Sequence, residues 1–165
     1  MRFLRPIADE LEAVLWQNEK NNVIRKKEMS LDSVIKELRE LNLPVPKPQR
    51  LPTEDEVEFA EQQLGIKFSS DYRRFLLEVS DVVVPTLEPA TVTLPPDRQN
   101  LVENAKVAWT IYGVSRDLLP ICEDNANYYC LNSNGEVIYW SHDGTSNEKW
   151  INLATWIKEV WIDKG

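Results

Sequence analysis

Three features of the sequence predict an α+β fold, with helices packed against an antiparallel sheet. Helical patterns with apolar stripes fill the stretch from Leu51 to Val79, ahead of the strand-like segments. A central hairpin near 128–140 follows, made of two runs rich in aromatic and β-branched residues. The chain then closes on one more amphipathic helix, where Leu153, Trp156, Ile157, Val160 and Trp161 fall at i, i+3, i+4, i+7 and i+8. Helices, then antiparallel strands, then one helix is an α+β order, with N-terminal helices and a C-terminal helix packing the sheet.

Taken in order, residues 7–28 read as a helix on the spacing of Ile7, Leu11, Val14 and Leu15, polar from Asn18 to Glu28. Met29 offers an alternative start codon, which would make that first segment dispensable. Leu31, Val34, Ile35, Leu38 and Leu41 form a second stripe behind Ser30 or Asp32 as N-cap. Pro44, Pro46 and Pro48 then enforce an extended connector, the best boundary in the chain. It divides a helical N-terminal extension, 1–49, from a domain spanning 50–165.

Thr53 and Glu56 have capping-box spacing, Val57, Ala60 and Leu64 supply the buried stripe of the next helix, and Gly65 suits its C-terminal end. Tyr72, Phe75, Leu76 and Val79 make a third stripe, capped by Ser69 or Ser70. Val82–Val84 reads as a short strand stopped by Pro85, and Ala90–Leu94 as another, ended by Pro95-Pro96-Asp97. Leu101–Val114 is ambiguous: Leu101, Ala105 and Ala108 suit a helix, Trp109-Thr110-Ile111-Tyr112 a strand. Leu118–Cys122 is a buried strand entering the loop at Glu123-Asp124-Asn125.

Asn134-Gly135 splits the hairpin. A two-residue type I′ loop there sets Leu131 opposite Ile138 and Tyr129 opposite Trp140, with Cys130 opposite Tyr139 on the other face. A longer loop starting at Asn132 shifts the register and exchanges the faces. Both faces are apolar, as for a hairpin covered on both sides. Ser141–Lys149 is a polar loop, and Asn152 is placed to cap the final helix.

The 165 residues suit one domain with an appendage, and a hydrophobic content of 42% supports a real core. The net charge of −8 argues against general nucleic-acid binding, which needs a basic face. Cys122 and Cys130 make no disulfide framework, and no Cys/His spacing resembles a zinc site. The chain shows no signal-peptide core and no bilayer-length apolar run, so a cytoplasmic protein with reduced thiols is expected.

Three blocks occur in a recognisable order: Leu51-Pro52 with Glu61, Leu64-Gly65-Ile66, Phe68, Asp71-Tyr72 and Phe75-Leu76; Leu119-Pro120-Ile121 with Asp124-Asn125, Tyr128-Tyr129, Gly135 and Val137-Ile138-Tyr139-Trp140; and Leu153 through Trp161. Over roughly residues 50 to 162 they resemble the SMI1/KNR4 proteins, also called the SUKH superfamily. The chain departs from that pattern at Ser69-Ser70, where many members have Pro, and at Asp124-Asn125-Ala126-Asn127, which lacks a frequent Gly. The turn common after the second helix, resembling Asn-Gly-Gly, is replaced by Val79-Ser80-Asp81-Val82. The resemblance implies an α+β domain used as a protein-binding module. Bacterial members are widely proposed immunity proteins that neutralise toxin domains, often nucleases, of polymorphic toxin systems. Fungal relatives act in cell-wall and signalling regulation.

From Asp117 through Glu148 the chain carries six acids and no Lys or Arg. Such a stretch can dock the basic face of a nuclease toxin, or simply keep an apolar sheet in solution. The expected partner-binding residues are Glu123, Asp124, Asn125, Asn127, Asp143, Glu148 and Trp150, the last as the best exposed aromatic anchor. His142 beside Asp143 lacks any placed nucleophile and reads as a surface or loop-packing residue, and both cysteines as core thiols. Paired carboxylates such as Asp124 and Asp143 would be needed for a hydrolase, which no spacing compels. The expectation is therefore a non-catalytic immunity protein with no metal or cofactor. Its partner is a protein, a toxin domain, with no direct nucleic acid or membrane contact. A regulatory or scaffold protein is the alternative.

Overall fold

The computed structural model describes residues 12–18 and 29–164. The chain divides into two compact units, Met1–Ser30 and Leu31–Gly165. In the first, residues 12–18 are helical (α1), with Val14, Leu15 and Trp16 exposed. Ile7, Leu11 and residues 19–28 of the expected helix lie outside the described residues.

The second unit opens with α2, Leu31–Leu41, which buries Leu31, Val34 and Leu38, while Leu41 stays exposed. Asp32 lies in its first turn and pairs with Arg74 at 2.6 Å. α2 packs on α4 (Ser70–Val79) and on the C-terminal helix. Arg39 fastens it further, reaching Asp81 at 2.5 Å and the carbonyl of Glu78.

α3, Glu54–Leu64, begins with the expected capping box: Thr53 accepts from the Glu56 N–H, and Glu56 accepts from the Thr53 N–H at 3.0 Å. Val57, Ala60 and Leu64 are buried, and Gly65 ends the helix at φ +66°, a left-handed position that a side chain would strain. Ser69, rather than Ser70, caps α4. Glu61 braces the turn by accepting the Phe68 N–H at 2.7 Å and pairing with Arg73.

The two short strands expected between residues 82 and 94 are not formed. Val83 pairs only with the segment after α2, donating to Asn42 Oδ1 and accepting from the Leu43 N–H, and Pro85 supplies no donor to extend the pairing. Ala90–Leu94 makes isolated bridges instead: the Ala90 N–H donates to the Ile121 carbonyl at 2.8 Å, and Thr91 pairs with Asn100. Asn100 then caps α5, Leu101–Thr110, so the ambiguous stretch is helical. Its buried face is Leu101, Val102, Ala105, Ala108 and Trp109, and the Trp109 indole N–H finds the Leu118 carbonyl at 2.8 Å.

The sheet is antiparallel in the order β1 (Leu119–Asp124), β2 (Asn127–Leu131), β3 (Val137–Trp140) and β4 (Lys149–Trp150). The β2–β3 register differs from the two-residue loop: Leu131 faces Val137, Cys130 faces Ile138, Tyr129 faces Tyr139 and Tyr128 faces Trp140. Asn132 causes the shift. Its side-chain oxygen accepts from the Asn134 and Glu136 N–H groups, its own N–H bonds the Glu136 carbonyl, and only Gly135 turns left-handed, at φ +82°. The loop is thus one residue longer, and the side chains of β3 exchange faces. The tight turn with positive φ at both central residues falls elsewhere, at Asn125 (φ 50°) and Ala126 (φ 68°) between β1 and β2.

Asn152 caps α6, Leu153–Trp156, which continues as a π-helical segment over Ile157–Ile162. All five stripe residues are buried, as is Ile162. Trp156 lies 5.3 Å from Tyr129 and Trp161 lies 6.0 Å from Phe75, ring centre to ring centre, joining the C-terminal helix to the sheet and to α4. These aromatic contacts form the centre of the α+β core.

Candidate functional site

The turn between β1 and β2 and the loop between β3 and β4 come back to the same end of the sheet. At the turn, Glu123 accepts the Ala126 N–H at 2.8 Å, holding a left-handed alanine that backbone sterics disfavour. Asp124 pairs in register with Asn127, and the Tyr139 hydroxyl donates to Asp124 at 3.0 Å. Desolvation first, then this carboxylate, pushes the Tyr139 phenol above its ordinary value, so it remains a neutral donor.

Asn127 ties the turn to the second loop. Its Oδ1 accepts from the His142 backbone N–H at 3.0 Å and lies 2.7 Å from the imidazole Nδ1. Because that amide oxygen only accepts, Nδ1 is assigned the proton. His142 is thus a loop-packing residue with an exposed ring. Asp143 accepts on Oδ1 from Ser141 and from the Thr145 hydroxyl and N–H, which hold its carboxyl down at about 2. It contributes charge to this end of the molecule, and its Oδ2 takes none of these hydrogen bonds. Glu148 sits where its carbonyl accepts the Tyr139 N–H at 3.0 Å, and its carboxylate adds to the field on that phenol.

Glu123, Asp124, Asp143 and Glu148 thus gather at one end, and among the described residues none of the four is in an ion pair. The other two acids of the run lie toward the opposite end. Glu136 is paired with Lys149 at 3.5 Å, and Asp117 lines a cleft with Lys67 and Arg116. Asn125 stands exposed at the tip of the turn.

Trp150 is not an exposed anchor. It pairs with Val137 on a two-residue strand that starts at the last residue of the expected loop, is only 9% exposed, and packs its ring 5.7 Å from Tyr129. Tyr139 and Trp140 are half-buried, and Tyr128 is buried. The exposed apolar side chains near this end are Val107, Ile111 and Tyr112, from α5 and just beyond. Reading residues 101–111 as a helix would have found two of them, since Val107 and Ile111 fall off the Ala105–Ala108 face.

Cys122 and Cys130 are buried free thiols, and burial pushes both up, Cys130 to about 12. Among the described residues no group of three or more His, Cys, Asp or Glu is placed to hold a metal ion. Asp124 and Asp143 are each committed to local hydrogen bonds, one with Tyr139 and the other with Ser141 and Thr145.

The sequence matches the model of the SMI1-KNR4 cell-wall family, of SUKH type, over residues 31–162. The match therefore begins at α2, ahead of the block at residue 50 where the resemblance starts. No curated protein matches the chain. A crystal structure of a protein from Pseudomonas syringae pv. tomato is similar, at 44% identity and a TM-score of 0.74, covering 79% of this chain and 97% of that one. On the extent of the family match, the chain belongs to the SMI1-KNR4 cell-wall family.

Proposed function

We propose that the protein is a non-catalytic binding module of the immunity type, which neutralises a cognate toxin domain by docking its acidic sheet end on the toxin's basic face. The observation that carries this reading is the set of four carboxylates, Glu123, Asp124, Asp143 and Glu148, gathered without a cationic partner among the described residues. Uncompensated like charge costs folding stability through self-repulsion, while it speeds encounter with a partner of opposite charge. A nuclease whose active face binds phosphates presents that opposite charge, and covering it excludes the substrate without any chemistry by the inhibitor. The partner is a protein, and no contact with nucleic acid or membrane is required.

Toxicity rescue tests this. The polymorphic-toxin C-terminal domain encoded beside the gene is expressed in bacteria with and without this protein. Growth is expected to be restored by the wild type and lost with Asp124→Lys and Glu148→Lys. Rescue that survives both reversals would remove the acidic end from the interface. No rescue from any neighbouring effector would sink the immunity reading.

A further inference from the structure

Next to the acidic turn, α5 and the sheet leave an aromatic and aliphatic surface open. Val107 and Ile111, four residues apart, lie on one side of the last helical turn, and Ile111 is 73% exposed. Tyr112 follows, its ring edge-on to Tyr128 at 5.9 Å, and Tyr128 in turn lies 6.0 Å from Trp140. Between α5 and the β1–β2 turn is an open cleft of 480 Å³, with Asn104, Val107, Tyr112, Glu123 and Tyr128 among its lining residues. Glu123 is the one carboxylate in that lining. Arg98, with Gln99 also in the lining, is answered by Glu88 at 3.0 Å. Burial, then Tyr112 and Glu123, push the Tyr128 phenol up to about 12, so this wall is neutral at physiological pH.

We propose that the cleft receives an arginine-bearing segment of the basic protein partner, with a guanidinium against Tyr112 and Tyr128, Glu123 as its counter-ion, and apolar neighbours on Val107 and Ile111. The proposal rests on the acidic-docking reading above and gives it an anchor. Charge complementarity selects the occupant: one unpaired carboxylate beside neutral aromatic rings suits a weakly hydrated planar cation, which pairs with carboxylates and lies on aromatic faces. Aromatic and arginine side chains are also the residues that dominate binding at interface centres. The same Glu123 holds the strained Ala126 turn, so the counter-ion is fixed in place before the partner arrives.

The test is an NMR titration of the full isotope-labelled chain with acetyl-Arg-Arg-Arg-amide, using a citrulline peptide of the same length as the uncharged control. Ring and backbone shifts are expected at Tyr112, Tyr128, Trp140 and Glu123. Tyr112→Ala, at a position 42% exposed, should weaken peptide binding by about fivefold, and Glu123→Gln by at least as much. Equal binding of the citrulline peptide, or shifts confined to Asp124, Asp143 and Glu148, would overturn the cleft. The rescue assay separates this failure from failure of the docking reading. Rescue lost with Asp124→Lys and Glu148→Lys but kept with Tyr112→Ala overturns the cleft and leaves the acidic face standing. Rescue kept in both reversals overturns the acidic face itself.

Discussion

Around α2, α3 and α4, five carboxylates are answered by arginines, Glu61 by Arg73, Glu56 by Arg50, Asp81 by Arg39, and Asp32 and Glu78 by Arg74, while Glu40, Glu54, Asp55, Glu58 and Asp71 are in no ion pair among the described residues. At the turn end of the sheet, Glu123, Asp124, Asp143 and Glu148 have no such answer among the described residues. The helical acids join elements. Glu56, for instance, takes the Thr53 N–H, the Arg50 guanidinium and the Leu94 N–H at 2.5 Å, clamping a loop to a helix start. At the sheet end, Glu123 and Asp143 accept only within their own loops and Asp124 takes the Tyr139 hydroxyl of β3, and none of this charge meets a cation among the described residues. One region uses charge to hold the fold, and the other holds charge for something outside it.

That contrast breaks most readily at Glu61. Its side chain is 10% exposed and serves both Arg73 and the Phe68 N–H, so Glu61→Ala leaves a cation and a backbone donor unanswered. A loss of roughly 2 kcal/mol is expected in urea unfolding. A loss under about half a kcal/mol would place Glu61 with the passive acids.

Glu56 sharpens the contrast through pH. The Arg50 hydrogen bonds first, against some desolvation, hold its carboxyl at about 2, below the ordinary 4.5. A depressed carboxyl stabilises fully above the unfolded value and loses that contribution as pH falls toward the folded one. Wild-type stability should therefore drop between about pH 4.5 and pH 2, and Glu56→Gln should flatten that part of the profile. An unchanged slope would show that the clamp does not depend on ionisation.

Ala126→Gly acts in the opposite direction. Relief of the left-handed alanine at φ 68° should stabilise the protein by about 1 kcal/mol, read as a rise in Tm. A fall in Tm would mean that the turn is not strained as its backbone indicates. The smallest effect is expected at Glu148→Gln: stability within about half a kcal/mol of wild type, tending upward at low salt and converging with wild type at high salt. Destabilisation there would make Glu148 a structural acid like those of α3.

Much of the helical layer was legible because its signals are local. Thr53 and Glu56 form the capping box, Gly65 turns left-handed, and the stripes of α3, α4 and the final helix are all buried, since each depends on residues within a turn of one another. The sheet was less legible because its register turns on side chains competing for backbone groups. Asn132 lengthens a loop that Asn134-Gly135 would have made tight, and the tight turn goes to Asn125-Ala126, where no glycine announces it. Val82–Val84 has strand propensity, but beside Pro85 its strand-like pairing is confined to Val83, with Asn42 and Leu43 far away in sequence. The acids were visible as a run, yet the strands carry Glu136 and Asp117 to the opposite end, which spacing does not reveal. Trp150 was misplaced because a two-residue strand leaves no periodic trace. The patch at Val107, Ile111 and Tyr112 was hidden by the strand-like composition of Trp109–Tyr112.

The central claim, an acidic docking face at the turn end of the sheet, is tested most directly by association kinetics. The association rate of the neighbouring toxin domain would be measured across roughly 0.05 to 0.5 M salt, for wild type and for the Asp124→Lys/Glu148→Lys variant. The wild-type rate should fall by about tenfold or more over that range, and the variant should start low and stay nearly flat. Equal rates and equal salt slopes for the two proteins would contradict the claim and move the interface away from these acids.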